Sequence, residues 1–86
     1  MHEEALIRDL RAKIVEVARA NGADRVSRVA LWVGALSHLD EAHLREDWPR
    51  IVQGTPAEGA VLEVQSSSDP QDPRAQAVVL ASLTVA

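Results

Sequence analysis

The sequence predicts an α+β fold in which two helices pack on a three-stranded mixed β-sheet, in the order α-β-α-β-β. Two observations lead to this fold class: apolar residues recur at helical spacing in two segments, and they alternate or cluster at strand spacing in three others. The chain has 86 residues, so we expect residues 1–86 to form a single domain. Trp32 and Trp48 are its only aromatic residues, and the core must therefore be aliphatic.

The first helix is predicted from Glu3 to Asn21. Its apolar stripe consists of residues at helical spacing, namely Leu6, Leu10, Ile14, Val17 and Ala18. Glu3 and Glu4 lie in the first turn, where the helix dipole favours negative charge. Gly22 follows the last turn and can take the left-handed conformation that ends helices.

A strand from Val26 to Gly34 follows, because apolar residues alternate with others over this segment. Trp32 lies on the opposite face from the apolar residues, where it is expected to cover the sheet or to mark an interface. Asp40 is a good N-cap for a second helix, and Trp48 is expected to lie on the core face of that helix. Pro49 predicts a kink, or a helix that ends and restarts, because its ring clashes with the preceding turn and it has no N–H.

Two further strands are predicted, from Ala60 to Gln65 and from Gln76 to Val85. The segment from Ser66 to Arg74 contains two prolines and no apolar residue, so it is expected to be a loop. The last strand is apolar on both faces, and we expect it to be central in the sheet or covered. Because only this loop separates the last two strands, we expect them to pair antiparallel with each other.

Composition argues against several classes of function. The net charge of −4 argues against nucleic-acid binding, which needs basic surface. The absence of cysteine excludes disulfides, thiolate metal sites and cysteine nucleophiles, and it fits a cytoplasmic protein. No signal segment and no long apolar run is present, so we expect neither export nor membrane insertion. The sequence contains no nucleophile-elbow motif and no glycine-rich phosphate loop, and we expect no enzymatic activity.

The first three residues, Met1-His2-Glu3, form a candidate metal-binding motif. The imidazole of His2, the α-amine of Met1 and the backbone nitrogens between them can close a planar, nitrogen-rich site that suits Ni(II) or Cu(II). Met1 should be retained, because its removal normally needs a small second residue. The alternative interpretation is a frayed terminus without function.

Four segments of the chain match a known family in order and spacing. They are Met1-His2-Glu3, the strand end Val33-Gly34-Ala35-Leu36-Ser37, the run from Gly54 to Val64 and the closing strand Ser82-Leu83-Thr84-Val85. With these segments the sequence resembles the HypA family, also called HybF, of hydrogenase nickel-incorporation proteins. The resemblance covers nearly the whole chain, so residues 1–86 are expected to form a HypA-like nickel-binding domain.

The resemblance implies a nickel metallochaperone that helps to load Ni(II) into the large subunit of [NiFe]-hydrogenase, together with a HypB-like GTPase. The implied ligands are the amine of Met1, the backbone nitrogens of His2 and Glu3, and the imidazole of His2. By the same resemblance, Glu3 and Asp40 match positions that support this site in the family, and the role of Asp40 as an N-cap can hold at the same time. His38 and His43 are expected to be surface residues, although His38 follows a strand end and can lie near His2 in space.

The sequence departs from the family at one large feature. Family members carry a zinc-binding insert with two Cys-x-x-Cys pairs between the last two strands, whereas residues 66–76 form only a short loop here. No zinc is therefore expected, and the chain corresponds either to a natural relative without the insert or to an engineered deletion. Glu46 and Pro49 also depart from the family pattern on a helix that can dock partners.

Three functions follow from the sequence. The first is a nickel carrier, and the second is an interaction module of the same maturation system that delivers no metal. The third is a small-ligand or transport-related domain whose similarity to the family is accidental. A short aliphatic sheet with an exposed edge also permits self-association, so we expect a monomer or a homodimer.

Overall fold

The computed structural model describes residues 2–37 and 39–86, with side chains described for residues 5–37 and 39–86. The elements follow the predicted order α-β-α-β-β. They are helix α1 at His2–Ala20, strand β1 at Val26–Val33, helix α2 at Glu41–Ile51, strand β2 at Val61–Ser66 and strand β3 at Val78–Val85. The predicted boundaries of α1 and β1 each agree with the structure to within one residue, because local signals mark them.

The three strands form one mixed sheet in the order β2-β1-β3. The central strand β1 pairs parallel with β2 and antiparallel with β3. Helix α2 makes the connection between the two parallel strands, as a crossover requires. The prediction of two helices on a three-stranded mixed sheet is therefore confirmed.

The prediction that the last two strands pair directly is wrong, and so is the central position expected for the third. Strand β3 is an edge strand and bonds only to β1. The crossover through α2 places β2 parallel beside β1, which leaves the other side of β1 for β3. Apolar residues occur on both faces of β3 for a different reason: Leu80 and Leu83 pack against the core, while Val79 is in register with Trp32 on the far face.

Both helices cover the same face of the sheet and bury an aliphatic core against it. Its members come from both helices and from the inner face of the sheet, and include Leu10, Ile14, Ala18, Val29, Leu31, Leu44, Ile51 and Leu62. Trp48 is buried in this cluster, as predicted. Its indole N–H donates to the carbonyl oxygen of Ala60 at 2.9 Å, so the polar atom enters the core without losing a hydrogen bond.

The two helices end by different means. Helix α1 is followed by Gly22, which has φ 64°, and the chain turns back with the N–H of Ala23 donating to the carbonyl of Ala18 at 2.9 Å. Helix α2 continues through Pro49 and ends at Ile51, so the prediction of a restarted helix is wrong. Pro49 is exposed in the last turn, where the loss of one N–H is tolerated because few helical bonds remain to be broken.

Replacing Ile14 with alanine should lower the free energy of unfolding by about 2–5 kcal/mol, because this fully buried side chain leaves a cavity between α1 and the sheet. Urea denaturation followed by circular dichroism measures the loss. Lys13→Ala is the matched control, because Lys13 is the exposed neighbour of Ile14. Its replacement should change the free energy of unfolding by about 0.5 kcal/mol or less. Equal losses in the two variants would contradict the assigned core face.

Candidate functional site

The start of α1 and the connector that leads to Asp40 lie at one end of the sheet. Leu6 in the first turns of α1 lines the same groove as Ala77 and Val78. Val78 pairs with Val33, the last residue of β1. Helix α1 therefore begins at the end of the sheet where β1 finishes, and the connector that leads to Asp40 leaves from the same end. The fold brings the start of α1 and the start of α2 to one end of the domain.

The connector between β1 and α2 is held by backbone hydrogen bonds. The N–H of Gly34 donates to the carbonyl of Ala77 at 2.9 Å, and the N–H of Leu36 donates to that of Ala75 at 2.7 Å. Ser37 is 3% exposed, its N–H donates to the carbonyl of Gly34, and its hydroxyl oxygen accepts from the N–H of Leu39 at 3.4 Å. These bonds fix the path of the chain toward Asp40.

Gly34 is required by a close approach between two backbone segments. A Cβ atom at this position would overlap the carbonyl oxygens of Arg74 and Ala75. The absence of a side chain lets residues 74–77 lie against the end of β1, and Ala75 is buried there. The sequence marked Gly34 only as part of a strand end, and this second role depends on a contact that is distant in the chain.

Asp40 caps helix α2, as predicted. Its backbone is extended, its Oδ1 accepts from the N–H of Ala42 at 2.9 Å, and its carbonyl accepts from Leu44 at 2.9 Å. Among the described residues, no group donates to its second carboxylate oxygen, and the side chain is exposed. The cap therefore leaves one carboxylate oxygen available at this end of the domain.

Other predicted site residues lie partly or wholly outside the described part of the chain. Met1 and His38 are outside it, and only the backbone of His2 and Glu3 is described, as the first residues of α1. The described side chains contain no group of three histidine, aspartate or glutamate residues able to hold a metal ion. His43 is exposed on α2, with its Nε2 atom 3.8 Å from Asp47 Oδ2, which agrees with the predicted surface position.

The segment between β2 and β3 is a chain of turns rather than an irregular loop. The side chains of Ser67, Asp69 and Asp72 each accept a hydrogen bond from the N–H two residues later, at 2.8 to 3.2 Å. The guanidinium of Arg74 then lies over the ring of Trp32, 4.6 Å from its centroid. The ring of Trp32 is thus covered by a side chain of the same molecule. The sequence did not predict this contact, because it depends on the strand order.

The profile of one protein family matches most of this chain. The profile described as hydrogenase/urease nickel incorporation, metallochaperone, HypA, matches residues 1–70. A hydrogenase maturation factor HypA of Rhodobacter capsulatus is 38% identical over 64 residues, which cover 74% of this chain and 57% of that protein. The factor of Azorhizobium caulinodans is 42% identical over the same extent. The chain thus spans little more than half the length of these curated relatives.

Solved structures share the fold. The solution structure of the Ni metallochaperone HypA from Helicobacter pylori matches with a TM-score of 0.81 at 18% identity, covering 99% of this chain and 97% of that one. A second solution structure of a HypA protein matches with a TM-score of 0.70 at 17% identity, covering 100% and 97% of the two chains. At these identities the comparison supports the α-β-α-β-β architecture alone.

Within residues 2–37 and 39–86, no helix has both the length and the apolar composition needed to cross a bilayer.

Substitutions at Asp40 should separate its cap from its charge. Asp40→Ala should lower the free energy of unfolding by about 1 kcal/mol, because the N–H of Ala42 loses its acceptor. Asp40→Asn should leave stability nearly unchanged, since asparagine caps helices about as well. Thermal and urea unfolding measure both. An Asp40→Asn variant as unstable as Asp40→Ala would show that the negative charge, rather than the capping bond, stabilises this end.

Proposed function

The chain belongs to the HypA family of nickel-incorporation metallochaperones, and we propose that it binds Ni(II) and delivers it during the maturation of a nickel enzyme of the [NiFe]-hydrogenase type. One observation carries this proposal: the family match begins at residue 1 and includes both Met1-His2-Glu3 and the connector to Asp40. The interpretation of an accidental similarity is wrong, because the match extends over residues 1–70. Residues 1–86 act in this proposal as the nickel domain, with residues 66–76 in place of a zinc-binding insert.

The proposed ligands are four nitrogens: the α-amine of Met1, the backbone nitrogens of His2 and Glu3, and the imidazole of His2. Helix α1 begins at His2, so the amide N–H groups of its first turn have no intrahelical acceptor. Replacing their protons with a metal ion therefore breaks no hydrogen bond of the helix.

The charge of the metal is balanced within this arrangement. The positive end of the helix dipole would disfavour a bare cation. Two deprotonated amides, however, balance both charges of Ni(II), so the bound site is electrically neutral. Asp40 is proposed to support the site through the carboxylate oxygen that the cap leaves available, and His38 is proposed to do so from the connector. Cu(II) should bind at least as tightly as Ni(II), so the cellular supply of metal sets the selectivity.

The partners follow from family membership and remain part of the proposal. They are the large subunit of a hydrogenase and a HypB-like GTPase, with the chain acting as a carrier rather than an enzyme in the cytoplasm. The chain contains no cysteine, so these 86 residues offer no thiolate zinc site. The carrier proposal uses Ni(II) as cargo and assigns the chain no other metal.

Untagged protein that retains Met1 should bind one Ni(II) per chain in a calorimetric titration and give the yellow, diamagnetic spectrum of a square-planar ion. Affinity should fall as the pH is lowered, because the ligands must release protons to bind. His2→Ala, or an extension before Met1, should abolish the site. Asp40→Asn should weaken it by about 10–100-fold, as expected for an outer partner of a metal site.

Asp24→Asn is the matched control for Asp40→Asn, since Asp24 is exposed just before β1, at the opposite end of the sheet, and should leave the titration unchanged. Equal binding by tagged and untagged protein would refute the four-nitrogen site.

The second candidate is an interaction module that keeps the partner surfaces but delivers no metal. The absence of cysteine favours it, because relatives with a zinc-binding insert have a part that this chain lacks. This candidate predicts that binding to a HypB-like GTPase or a hydrogenase large subunit survives His2→Ala. Pull-down with purified partners, with and without Ni(II), measures this. Loss of the complex in the His2→Ala variant would support the carrier instead.

A further inference from the structure

The two edges of the sheet differ in how they are protected. On the outer edge of β2, the guanidinium of Arg45 from α2 donates to the carbonyl of Leu62 at 3.1 Å. Among the described residues, no hydrogen bond from another element reaches the outer edge of β3, which bonds only to β1. An unpaired strand edge presents a row of free N–H and C=O groups to another strand.

The residues of β3 whose N–H and C=O groups point outward can be identified from the residues whose groups point toward β1. The carbonyl of Ala77 accepts from Gly34, and the carbonyl of Thr84 accepts from the hydroxyl of Ser27, so both point toward β1. Ala81 is an extra residue, because Ala30 pairs with Ser82 and Leu31 with Leu80. The backbone groups of successive strand residues point alternately toward β1 and away from it on each side of this bulge. Four residues therefore direct their N–H and C=O groups outward: Val78, Leu80, Leu83 and Val85.

Strand β3 has the same chemical pattern from either end. Read inward, valine matches valine (78 and 85), a β-branched residue matches another (79 and 84), leucine matches leucine (80 and 83) and a small residue matches a small one (81 and 82). The bulge is necessary for this symmetry. Without the extra residue, Leu80 and Leu83 would lie on opposite faces, whereas both pack against the core.

We propose that the edge of β3 pairs with β3 of a second copy of this chain, antiparallel about a two-fold axis between Ala81 and Ser82. In this register Val78 lies opposite Val85 of the other copy and Leu80 opposite its Leu83. All four residues face outward, so each pair exchanges two backbone hydrogen bonds. Core-face residues meet core-face residues, and the two sheets become one sheet of six strands with all helices on one side.

The chemistry beside the edge also fits a second copy. A groove of about 460 Å³ lies between α1 and β3. Leu6 and Leu10 make its wall apolar, while Asp9 and Lys13 contribute one acid and one base. A surface with balanced charges does not repel its own copy, and a self-complementary edge needs no second kind of partner.

The size of the contact sets its strength. An eight-residue strand is about 27 Å long, so the interface is smaller than the roughly 1,600 Å² of standard complexes. The dimer is therefore a reversible one whose population rises with concentration, and it forms without nickel.

Cysteine cross-linking tests the register directly, because the chain contains no cysteine of its own. In the proposed dimer, Val79 of one copy lies opposite Thr84 of the other, in a pair that exchanges no backbone hydrogen bonds with each other. The Cα atoms of such a pair are about 4.5 Å apart, a distance that suits a disulfide. A mixture of Val79→Cys and Thr84→Cys proteins should give a cross-linked heterodimer on mild oxidation. Either variant alone should give far less, since its two cysteines lie about 17 Å apart along the strands. A mixture that cross-links no better than its components would overturn the proposal.

Sedimentation equilibrium of metal-free, unmodified protein supplies the second measurement. The average mass should rise from monomer toward dimer up to millimolar concentration. Val85→Pro should suppress this rise, because it removes an outward N–H at a half-exposed position without removing a bond to β1. Thermal unfolding confirms that this variant is folded. A strictly monomeric protein over the whole range would also refute the dimer, and neither outcome bears on the nickel titration.

Discussion

The hydrogen bonding of β1 on both sides is the constraint on which the structure depends. This strand pairs parallel with β2 and antiparallel with β3, and its inner face, with Val29 and Leu31, is buried under both helices. The parallel pairing of β1 with β2 requires the crossover through α2. Because β2 occupies one side of β1, β3 can pair only with its other side and becomes an edge strand. Because α1 begins where β1 ends, the same strand also brings the start of α1 to the end of the sheet from which the connector to Asp40 leaves.

Local signals in the sequence were sufficient for the helices and the cap, and insufficient for the strand order. Asp40 and Gly22 each act within a few residues of their own position, and helical spacing alone predicted that Trp48 lies on the core face of α2. The pairing of β3 with β1 joins segments about fifty residues apart, and the composition of β3 fits an edge and a centre equally well. The contacts of Arg74 with Trp32 and of Ala75 with Gly34 depend on that pairing, so no local pattern predicts them. The ligand role of Met1, His2 and Glu3 stays a prediction.

The proposed metal site lies near one end of β3, whereas the two-fold axis of the proposed dimer passes through the middle of this strand. The start of α1 lies near Val78, the first residue of β3. In the dimer, two copies of Val78 are about seven residues apart along the paired strands, or roughly 24 Å. In the proposed dimer, the two copies of the start of α1 therefore lie at opposite ends of the six-stranded sheet. Each would hold its own ion, and neither copy would complete the site of the other.

The segment between β2 and β3 returns to almost the place from which it departs. The N–H of Ser67 donates to the carbonyl of Val33, and the carbonyl of Ala77 accepts from the next residue, Gly34. Both ends are thus clamped to adjacent positions on β1, and each turn between them is closed by its own side chains. Lengthening a loop between fixed ends costs only about 0.6 kcal/mol for each doubling. This part of the chain is consequently a natural grafting point, at which a whole additional module can be gained or lost while the sheet beneath it remains intact.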